Sequence, residues 1–348
     1  MKIKFNTMPY RVNSCFEDFI KYKVNLDPDR TQKARKSKNN LQANIISLAE
    51  KGDLPVLYKG MHLDYGSFAR RVKLRPLNDI DMMICMDGTH GKYTEIQPDS
   101  KYTIWIDEIA PKLCEKRDAD GNLNSTKVIE LFKKELSQVG DFRSAELHKR
   151  GEAVTLKLKS YEWNFDILPC FYADKGFYLI PDGKGAWKKT DPRIDEARID
   201  DAEDDIRRFH PNTKDMRTFI RLMKYWKNIS WGDAISSYMF EQMVLTYIEQ
   251  KGLTSDWQSN VRNCLQSLSS QIIGSVADPK GMQEDLNTLE LEKQYNFSAI
   301  ADADVKIANQ AISEEAMAGF FGGTHENAIK LWHDIFGNEF KLYGDSYE

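Results

Sequence analysis

Two acidic residues, Asp79 and Asp81, stand on either side of Ile80 at the start of a short apolar run that ends at Met86. The run has the length of a β-strand, and residues two apart on a strand point to the same face of the sheet. The spacing therefore predicts two adjacent carboxylates, with Ile80 facing the core. Such carboxylates repel each other unless a cation neutralises them, and Mg2+ prefers carboxylate and phosphate oxygens. An isolated Asp-x-Asp is more often a turn or a cap, so the assignment depends on its surroundings.

A third acid, Asp166, follows 85 residues after Asp81. It lies in a stretch where Trp163, Phe165 and Ile167 alternate with polar residues, which predicts a strand with one polar face. Glu162 shares that face, but Asp166 introduces an apolar segment in which an unpaired carboxylate would be costly, so we favour Asp166. Three carboxylates suit a two-metal mechanism in which a nucleotide is transferred to an acceptor hydroxyl, with no protein nucleophile.

Gly66 and Ser67, the Gly-Ser turn, precede a short predicted helix, and 11 residues separate Ser67 from Asp79. Open backbone N–H groups and a hydroxyl at such a turn could hold phosphate oxygens. Gly-Ser alone carries no information, but its combination with this spacing and the paired acids is much rarer than either part. Four cations lie between the turn and the acids: Arg70, Arg71, Lys73 and Arg75. Their position suggests help with phosphates, but exposed loop cations are more common, so none is assigned a role.

The elements that must position these residues follow from patterning. Asp27 as N-cap, Pro28 and Gly52 predict one long helix over residues 27–51. We predict strands over residues 80–86, 153–158 and 163–170, and helices over residues 102–114 and 126–139. After a turn-rich segment, residues 181–192, the periodicity is helical to the end.

The composition disfavours several classes of function. The 348 residues include 49 Lys plus Arg and 53 Asp plus Glu, giving a formal net charge of -4. This balance does not favour nucleic-acid binding, which normally needs a basic excess. The five cysteines are scattered without a CxxC pair, so we expect no zinc site. No stretch is apolar enough for a membrane span and no signal pattern is found, so we expect a cytoplasmic protein.

The Gly-Ser turn, the Asp79 and Asp81 pair and the distant Asp166 resemble the signature of the polymerase-beta-like nucleotidyltransferase superfamily. More narrowly, residues 27–341 are similar to bacterial CD-NTases, the cyclic oligonucleotide synthases of anti-phage signalling systems. Further segments share that likeness: the long helix, residues 178–181, Trp187, residues 221–226, Ser237 with Tyr238, and residues 332–340.

The resemblance implies an α+β fold. A polymerase-beta-like core with a mixed sheet and a spine helix would occupy residues 1–200, and a helical domain closing the nucleotide pocket would occupy residues 201–348. It implies two Mg2+ ions, with Mn2+ as a substitute, held by Asp79, Asp81 and Asp166. Nucleoside triphosphates would be joined into a cyclic di- or trinucleotide with release of pyrophosphate, and the product would activate a separate effector protein.

The resemblance also assigns nucleotide-binding roles: Lys224 to the triphosphate, Ser237 to a phosphate and Tyr238 to base stacking. From the residues alone, Arg217, Arg221 and Lys224 form a basic stripe on one side of a helix, which is as often a solvated face. Ser237 is also a plausible N-cap and Tyr238 a plausible core residue.

Two other functions stay open at this point. The chain could transfer nucleotides to RNA, an antibiotic or a protein, although the net charge of -4 disfavours an RNA-end enzyme. It could also be an inactive nucleotide-binding scaffold, which the presence of all three acids disfavours. The bases, ring size, linkage, activating signal and oligomeric state are not determined by the sequence.

Overall fold

The structure, a computed structural model, describes residues 11–97, 101–139, 145–159 and 161–347. Contacts within the chain define two compact units. The sheet unit comprises residues 26–196 and 279–283, and the helical unit comprises residues 11–25, 197–278 and 284–347. The domain bounds expected from the sequence, 1–200 and 201–348, stay a prediction.

The described residues contain eleven α-helices. In chain order they are α1 (Val12–Phe19), α2 (Pro28–Glu50), α3 (Gly66–Ala69), α4 (Pro111–Cys114), α5 (Ser125–Leu136), α6 (Pro192–Phe209), α7 (Met216–Trp231), α8 (Ser237–Lys251), α9 (Trp257–Gln271), α10 (Leu291–Phe321) and α11 (Glu326–Phe336). A π-helical segment, Ile20–Val24, follows α1.

Nine strands within the described ranges form one mixed sheet. They are β1 (Leu63–Tyr65), β2 (Asp79–Met86), β3 (Gly91–Gln97), β4 (Lys101–Ile106), β5 (Glu146–Arg150), β6 (Ala153–Lys157), β7 (Asn164–Tyr172), β8 (Tyr178–Pro181) and β9 (Trp187–Thr190). Their order is β1-β2-β7-β8-β9-β4-β3, with β6 also paired to β7 and β5 to β6. β2 and β7 run parallel and the other pairings are antiparallel. The expected α+β class with a helical C-terminal region is confirmed.

The long helix predicted over residues 27–51 is α2. The Asp27 carboxylate accepts a hydrogen bond from the Arg30 amide at 2.9 Å, which satisfies one of the unpaired N–H groups of the first turn. At the other end, Gly52 takes a φ of +79°, as expected just after a helix. Trp163 donates from its indole nitrogen to the Ser37 hydroxyl of α2 at 3.3 Å, so α2 is fixed to the segment leading into β7.

The alternation of β2 separates two faces of the sheet. Ile80, Met82, Ile84 and Met86 are buried in the main core with residues of α2 and α5. Met83, Cys85 and their neighbours on β7 form a smaller apolar cluster on the opposite face, and Asp79 and Asp81 share the alternation of that face. Burial of the even-numbered side chains therefore fixes which way the acids point.

The helix predicted over residues 102–114 is wrong. Its first half is strand β4, in which the buried residues Tyr102, Ile104 and Ile106 alternate with more exposed ones, and only Pro111–Cys114 is helical. The period of two residues that is typical of a strand was present in the sequence, but it covers only five residues. The other predicted elements are found as β2, β6, β7 and α5 with ends shifted by a few residues.

The helical unit has its own core. Phe16 of α1 packs edge-on against Trp332, Phe336 and Phe340, with ring centroids 5.0 to 5.6 Å apart. The buried indole of Trp226 donates to a carboxylate oxygen of Asp304 at 2.7 Å, which satisfies the polar group of that side chain. In the described part of the chain, no helix is long and apolar enough to cross a bilayer.

Candidate active site

The three acids predicted from the sequence, Asp79, Asp81 and Asp166, come together in the sheet unit, and we call them the acid cluster. Asp79 and Asp81 lie at the start of β2, and Asp166 lies near the start of the parallel strand β7. The register pairs Asp81 directly with Asp166 and Asp79 with Asn164. Residues paired across neighbouring strands share a face, so all three carboxylates point to the same side of the sheet.

Two further side chains complete a row across four strands. Tyr65 on β1 is the register partner of Asp81, and Thr155 on β6 is the register partner of Asp166. The Thr155 hydroxyl donates to a carboxylate oxygen of Asp166 at 2.6 Å, which fixes the orientation of that carboxylate. The row Tyr65, Asp81, Asp166, Thr155 was not predicted, because only strand pairing reveals it.

Gly66 lies directly against the acid cluster. Its φ is +76°, and a Cβ atom at this position would stand 2.0 Å from an oxygen of the Asp81 carboxylate. Both the backbone conformation and the lack of space therefore require glycine. Ser67 is the second residue of the one-turn helix α3, and its carbonyl accepts from the Val72 amide at 2.9 Å. The Gly-Ser turn is thus held next to the acids.

The acid cluster is electrostatically frustrated. The pKa of the Asp81 carboxyl is raised from 3.8 to about 7, first by burial and then by the charges of Asp79 and Asp166, whereas Lys73 and Arg70 oppose the rise. Burial also raises the pKa of the Tyr65 phenol well above its ordinary 10.0, with Asp81 and Asp166 adding to the effect. Negative charge on this face of the sheet is therefore only partly compensated, and a cation would relieve the repulsion.

Lys73 contacts the acid cluster directly. Its ammonium forms an ion pair with the Asp79 carboxylate, and its side chain is 14% exposed. Across the described ranges, no three His, Cys, Asp or Glu side chains are arranged to hold a metal ion. The chemistry of the donors nevertheless fits a hard divalent cation, because the three carboxylates share one face and repel each other.

Glu162, the alternative third acid, lies outside the strands. Its carboxylate forms an ion pair with Arg30 at 2.6 Å, and both side chains are more than half exposed. It contributes nothing to the row of side chains across the sheet. The geometry therefore favours Asp166.

The residues assigned to nucleotide binding lie in the helical unit. Lys224 on α7 is buried, and its ammonium lies 3.0 Å from a carboxylate oxygen of Glu241, which is 1% exposed. Such a pair connects α7 to α8. The basic stripe predicted on α7 is also engaged, since Arg217 forms an ion pair with Glu203 at 3.0 Å and Arg221 donates to the Asn25 amide oxygen at 2.7 Å.

A second lysine, Lys227, was missed by the sequence analysis. It is 1% exposed, and its ammonium lies 3.4 Å from the Ser237 hydroxyl and 3.1 Å from the Asn228 side-chain oxygen. Burial lowers its pKa, Asp233 opposes that shift and Lys224 adds to it. The three-residue spacing from Lys224 on one helix could have revealed it.

Ser237 and Tyr238 open helix α8. The N-cap is Ser236, whose hydroxyl accepts from the Met239 amide at 3.5 Å, so the alternative interpretation of Ser237 as the N-cap is wrong. Ser237 is exposed and is the first helical residue. The Tyr238 hydroxyl donates to the Asp278 carboxylate at 3.1 Å, and the ring is half-buried rather than part of the core.

Comparison with known proteins gives a clear result. The chain is 38% identical over 340 residues to a probable cyclic nucleotide synthase of Bacillus cereus, covering 96% of this chain and 98% of that protein. It is 23% identical over 349 residues to a cyclic AMP-AMP-AMP synthase of Escherichia coli, covering 93% and 96%. The structure of E. coli CdnC with ATP matches with a TM-score of 0.66 at 16% identity, over 94% of this chain and 98% of that one. No protein-family model matches the sequence.

Proposed function

The chain belongs to the CD-NTase family of cyclic nucleotide synthases, and we propose that it joins nucleoside triphosphates into a cyclic di- or trinucleotide at the acid cluster. Membership of this family makes it a nucleotidyltransferase. The observation that carries the site assignment is the register that pairs Asp81 with Asp166 beside Asp79. The product would act as a second messenger in anti-phage defence, received by a separate effector protein.

In the proposed reaction, a hydroxyl of the acceptor nucleotide attacks the α-phosphate of the donor in line. A new oxygen–phosphorus bond forms, the bond from the α-phosphate to the bridging oxygen breaks, and pyrophosphate leaves. Asp79, Asp81 and Asp166 would hold two Mg2+ ions, which when bound activate the attacking hydroxyl and neutralise the triphosphate and the leaving pyrophosphate. The last transfer closes the ring, and it is the second for a cyclic dinucleotide and the third for a cyclic trinucleotide.

Residues of the sheet unit would position the donor phosphates. The Gly66 backbone approaches the Asp81 carboxylate closely, so Gly66 and the Ser67 hydroxyl are suited to bind phosphate oxygens beside the metal ligands. Thr155 would keep the Asp166 carboxylate in the orientation that the metal needs, since it already donates to that group at 2.6 Å.

In the helical unit, Lys224, Ser237 and Tyr238 are proposed to contact the nucleotide, Lys224 and Ser237 through phosphates and Tyr238 through the base. The Lys227 ammonium supports Ser237 in this role, because it lies 3.4 Å from the hydroxyl oxygen and leaves the hydroxyl hydrogen to be donated elsewhere. These assignments rest on the family resemblance and on this one contact.

ATP is the first substrate to test. The E. coli relative is named a cyclic AMP-AMP-AMP synthase, and the E. coli CdnC structure was solved with ATP. Purified protein should be incubated with all four labelled ribonucleoside triphosphates and Mg2+ or Mn2+, then treated with phosphatase. Mass spectrometry of a phosphatase-resistant product would identify its bases and ring size in one step.

The control for this assay removes the paired carboxylates. The double variant Asp79→Ala, Asp81→Ala should fold but form no product, whereas removal of two exposed acids on α6, Asp201→Ala with Asp205→Ala, should leave turnover unchanged. Turnover by the folded Asp79 and Asp81 variant would refute the metal site. If wild-type protein makes no cyclic product, either an activating signal is missing or the acceptor is not a nucleotide. Repeating the assay with infected-cell lysate tests the first explanation, and repeating it with added RNA tests the second.

A further inference from the structure

The ion pair between Lys73 and Asp79 places a cation of the protein on one of the proposed metal ligands. Lys73 is held in a short segment between α3 and β2, and Val72 beside it is fully buried and donates to the Ser67 carbonyl at 2.9 Å. The backbone that carries the lysine is therefore anchored, and only its side chain can leave the acid cluster. With a 14% exposed side chain, the ammonium is largely removed from water.

The same contact explains an apparent contradiction at the site. Three carboxylates share one face of the sheet, and yet in the described portion of the chain no three acidic, histidine or cysteine side chains are arranged to hold a metal ion. One of the three carboxylates, Asp79, is turned towards Lys73. Asp79 therefore has the chemistry of a metal ligand, but its partner in this structure is the Lys73 ammonium.

We propose that Lys73 is an internal counter-ion that occupies the acid cluster of the metal-free protein and is displaced from Asp79 when a divalent cation binds. This inference rests on the proposed metal site. The ammonium neutralises part of the repulsion among the carboxylates, so the start of β2 can fold before metal arrives. Entry of the divalent ion then exchanges one cation for another and releases the lysine side chain.

Binding of Mn2+ alone, without nucleotide, tests this exchange. In isothermal titration, Lys73→Met should bind Mn2+ about five- to tenfold more tightly than wild type, because no ammonium competes for Asp79. Lys73→Arg, which keeps the charge, should stay close to wild type. The matched control is Lys59→Met, which removes an exposed lysine paired with Glu50 at 2.6 Å in the same unit and should change nothing.

A second measurement uses wild-type protein and does not depend on a variant folding. Acetylation of lysine amines, followed by peptide mass spectrometry, should label Lys73 severalfold faster once Mn2+ is present, while labelling of Lys59 stays the same. Unchanged labelling of Lys73, or equal or weaker Mn2+ binding by a folded Lys73→Met variant, would overturn the proposal.

These outcomes separate the two hypotheses. If wild-type protein binds Mn2+ and the Asp79→Ala, Asp81→Ala variant does not, the metal site stands, and the behaviour of Lys73 alone decides the exchange. If wild type binds no Mn2+ at millimolar concentration, the metal site and the exchange are both wrong.

Discussion

Three residues restrict the Asp81 carboxylate. The Gly66 backbone lies directly against it, and Tyr65 and Asp166 are its partners on the neighbouring strands. The charges of Asp79 and Asp166 repel this carboxylate as well. At the scale of single residues, the site therefore depends on the absence of a side chain at Gly66 as much as on the acids themselves.

Gly66→Ala should abolish product formation and lower the free energy of unfolding by more than about 1 kcal/mol, the usual cost of a positive φ for alanine. The added Cβ would meet the Asp81 carboxylate oxygen at 2.0 Å, so the carboxylate must move. Gly52→Ala is the matched control, because Gly52 has a φ of +79° with nothing within 4 Å of its Cβ position. Product assays should show a loss of activity for Gly66→Ala alone. Denaturant unfolding measures the free energy of unfolding of both variants. Equal activity of both variants would contradict the close approach.

The raised pKa of Asp81 predicts a pH dependence of stability in metal-free protein. Its folded pKa of about 7 lies above the ordinary 3.8, so the stabilising contribution of its protonated form is complete below about pH 4 and is lost as pH rises through 7. Asp81→Asn stays neutral, and its free energy of unfolding should exceed that of wild type by up to about 4 kcal/mol at about pH 8.

Thermal denaturation in the presence of a chelator checks this. The two melting temperatures should converge near about pH 4 and separate towards about pH 8. A gap that does not change with pH would show that Asp81 keeps its ordinary pKa in the folded protein. Asp201→Asn, at an exposed position on α6, controls for the loss of one negative charge.

At the scale of elements, two pairs of neighbours carry the candidate residues: strands β2 and β7 for the acids, and helices α7 and α8 for Lys224 and Ser237. In the sheet, the parallel register brings together acids that are 85 residues apart in the chain. In the helical unit, the buried pair of Lys224 and Glu241 joins the two helices. Lys224 therefore has a structural contact in addition to its proposed role at the triphosphate.

Variants of this pair can separate the two roles. Glu241→Ala leaves a buried ammonium without its carboxylate and should lower the free energy of unfolding by about 3–5 kcal/mol. Replacing both residues, Lys224→Met with Glu241→Met, should restore most of the stability, since apolar side chains often substitute for a buried ion pair without loss. If Lys224 binds the triphosphate as proposed, this stable double variant should still bind ATP at least about tenfold more weakly.

The control is Glu249→Ala on the same helix. Glu249 is paired with Arg198 at 2.7 Å but is 37% exposed, so its loss should cost less than about 1 kcal/mol. Thermal denaturation and ATP titration provide both readouts. Wild-type ATP affinity in the double variant would restrict Lys224 to its structural contact.

At the scale of the whole molecule, net charge governs which large partners can be attracted. With 49 basic and 53 acidic residues, the chain lacks the excess of cations that binding to duplex phosphates requires. We predict that labelled duplex DNA binds more weakly than about 10 µM at about 0.15 M salt and does not increase product formation. Fluorescence anisotropy measures the first and the nucleotide assay the second. Submicromolar binding would show that a local basic surface outweighs the net charge.

The sequence by itself determined the local parts of the site. The side-chain period of two on a strand placed Asp79 and Asp81 on one face, and the alternation around Asp166 placed it on the polar face of a second strand. The cap at Asp27 fixed the start of α2. These inferences succeed because backbone geometry and capping act over a few residues. The same reasoning failed for residues 102–106, because an apolar run of this length fits a helix or a strand and the neighbouring strand decides between them.

Only the tertiary structure decided which residues meet. Three contacts could not be read from residue types and local spacing: the pairing of Asp81 with Asp166 and Tyr65, the contact of Lys73 with Asp79, and the pairing of Lys224 with Glu241. Packing on the two faces of the sheet sets the strand register, and that packing sums many apolar contacts. The chemistry of the acids was therefore evident from their types and spacing, whereas their partners and electrostatics follow from the fold.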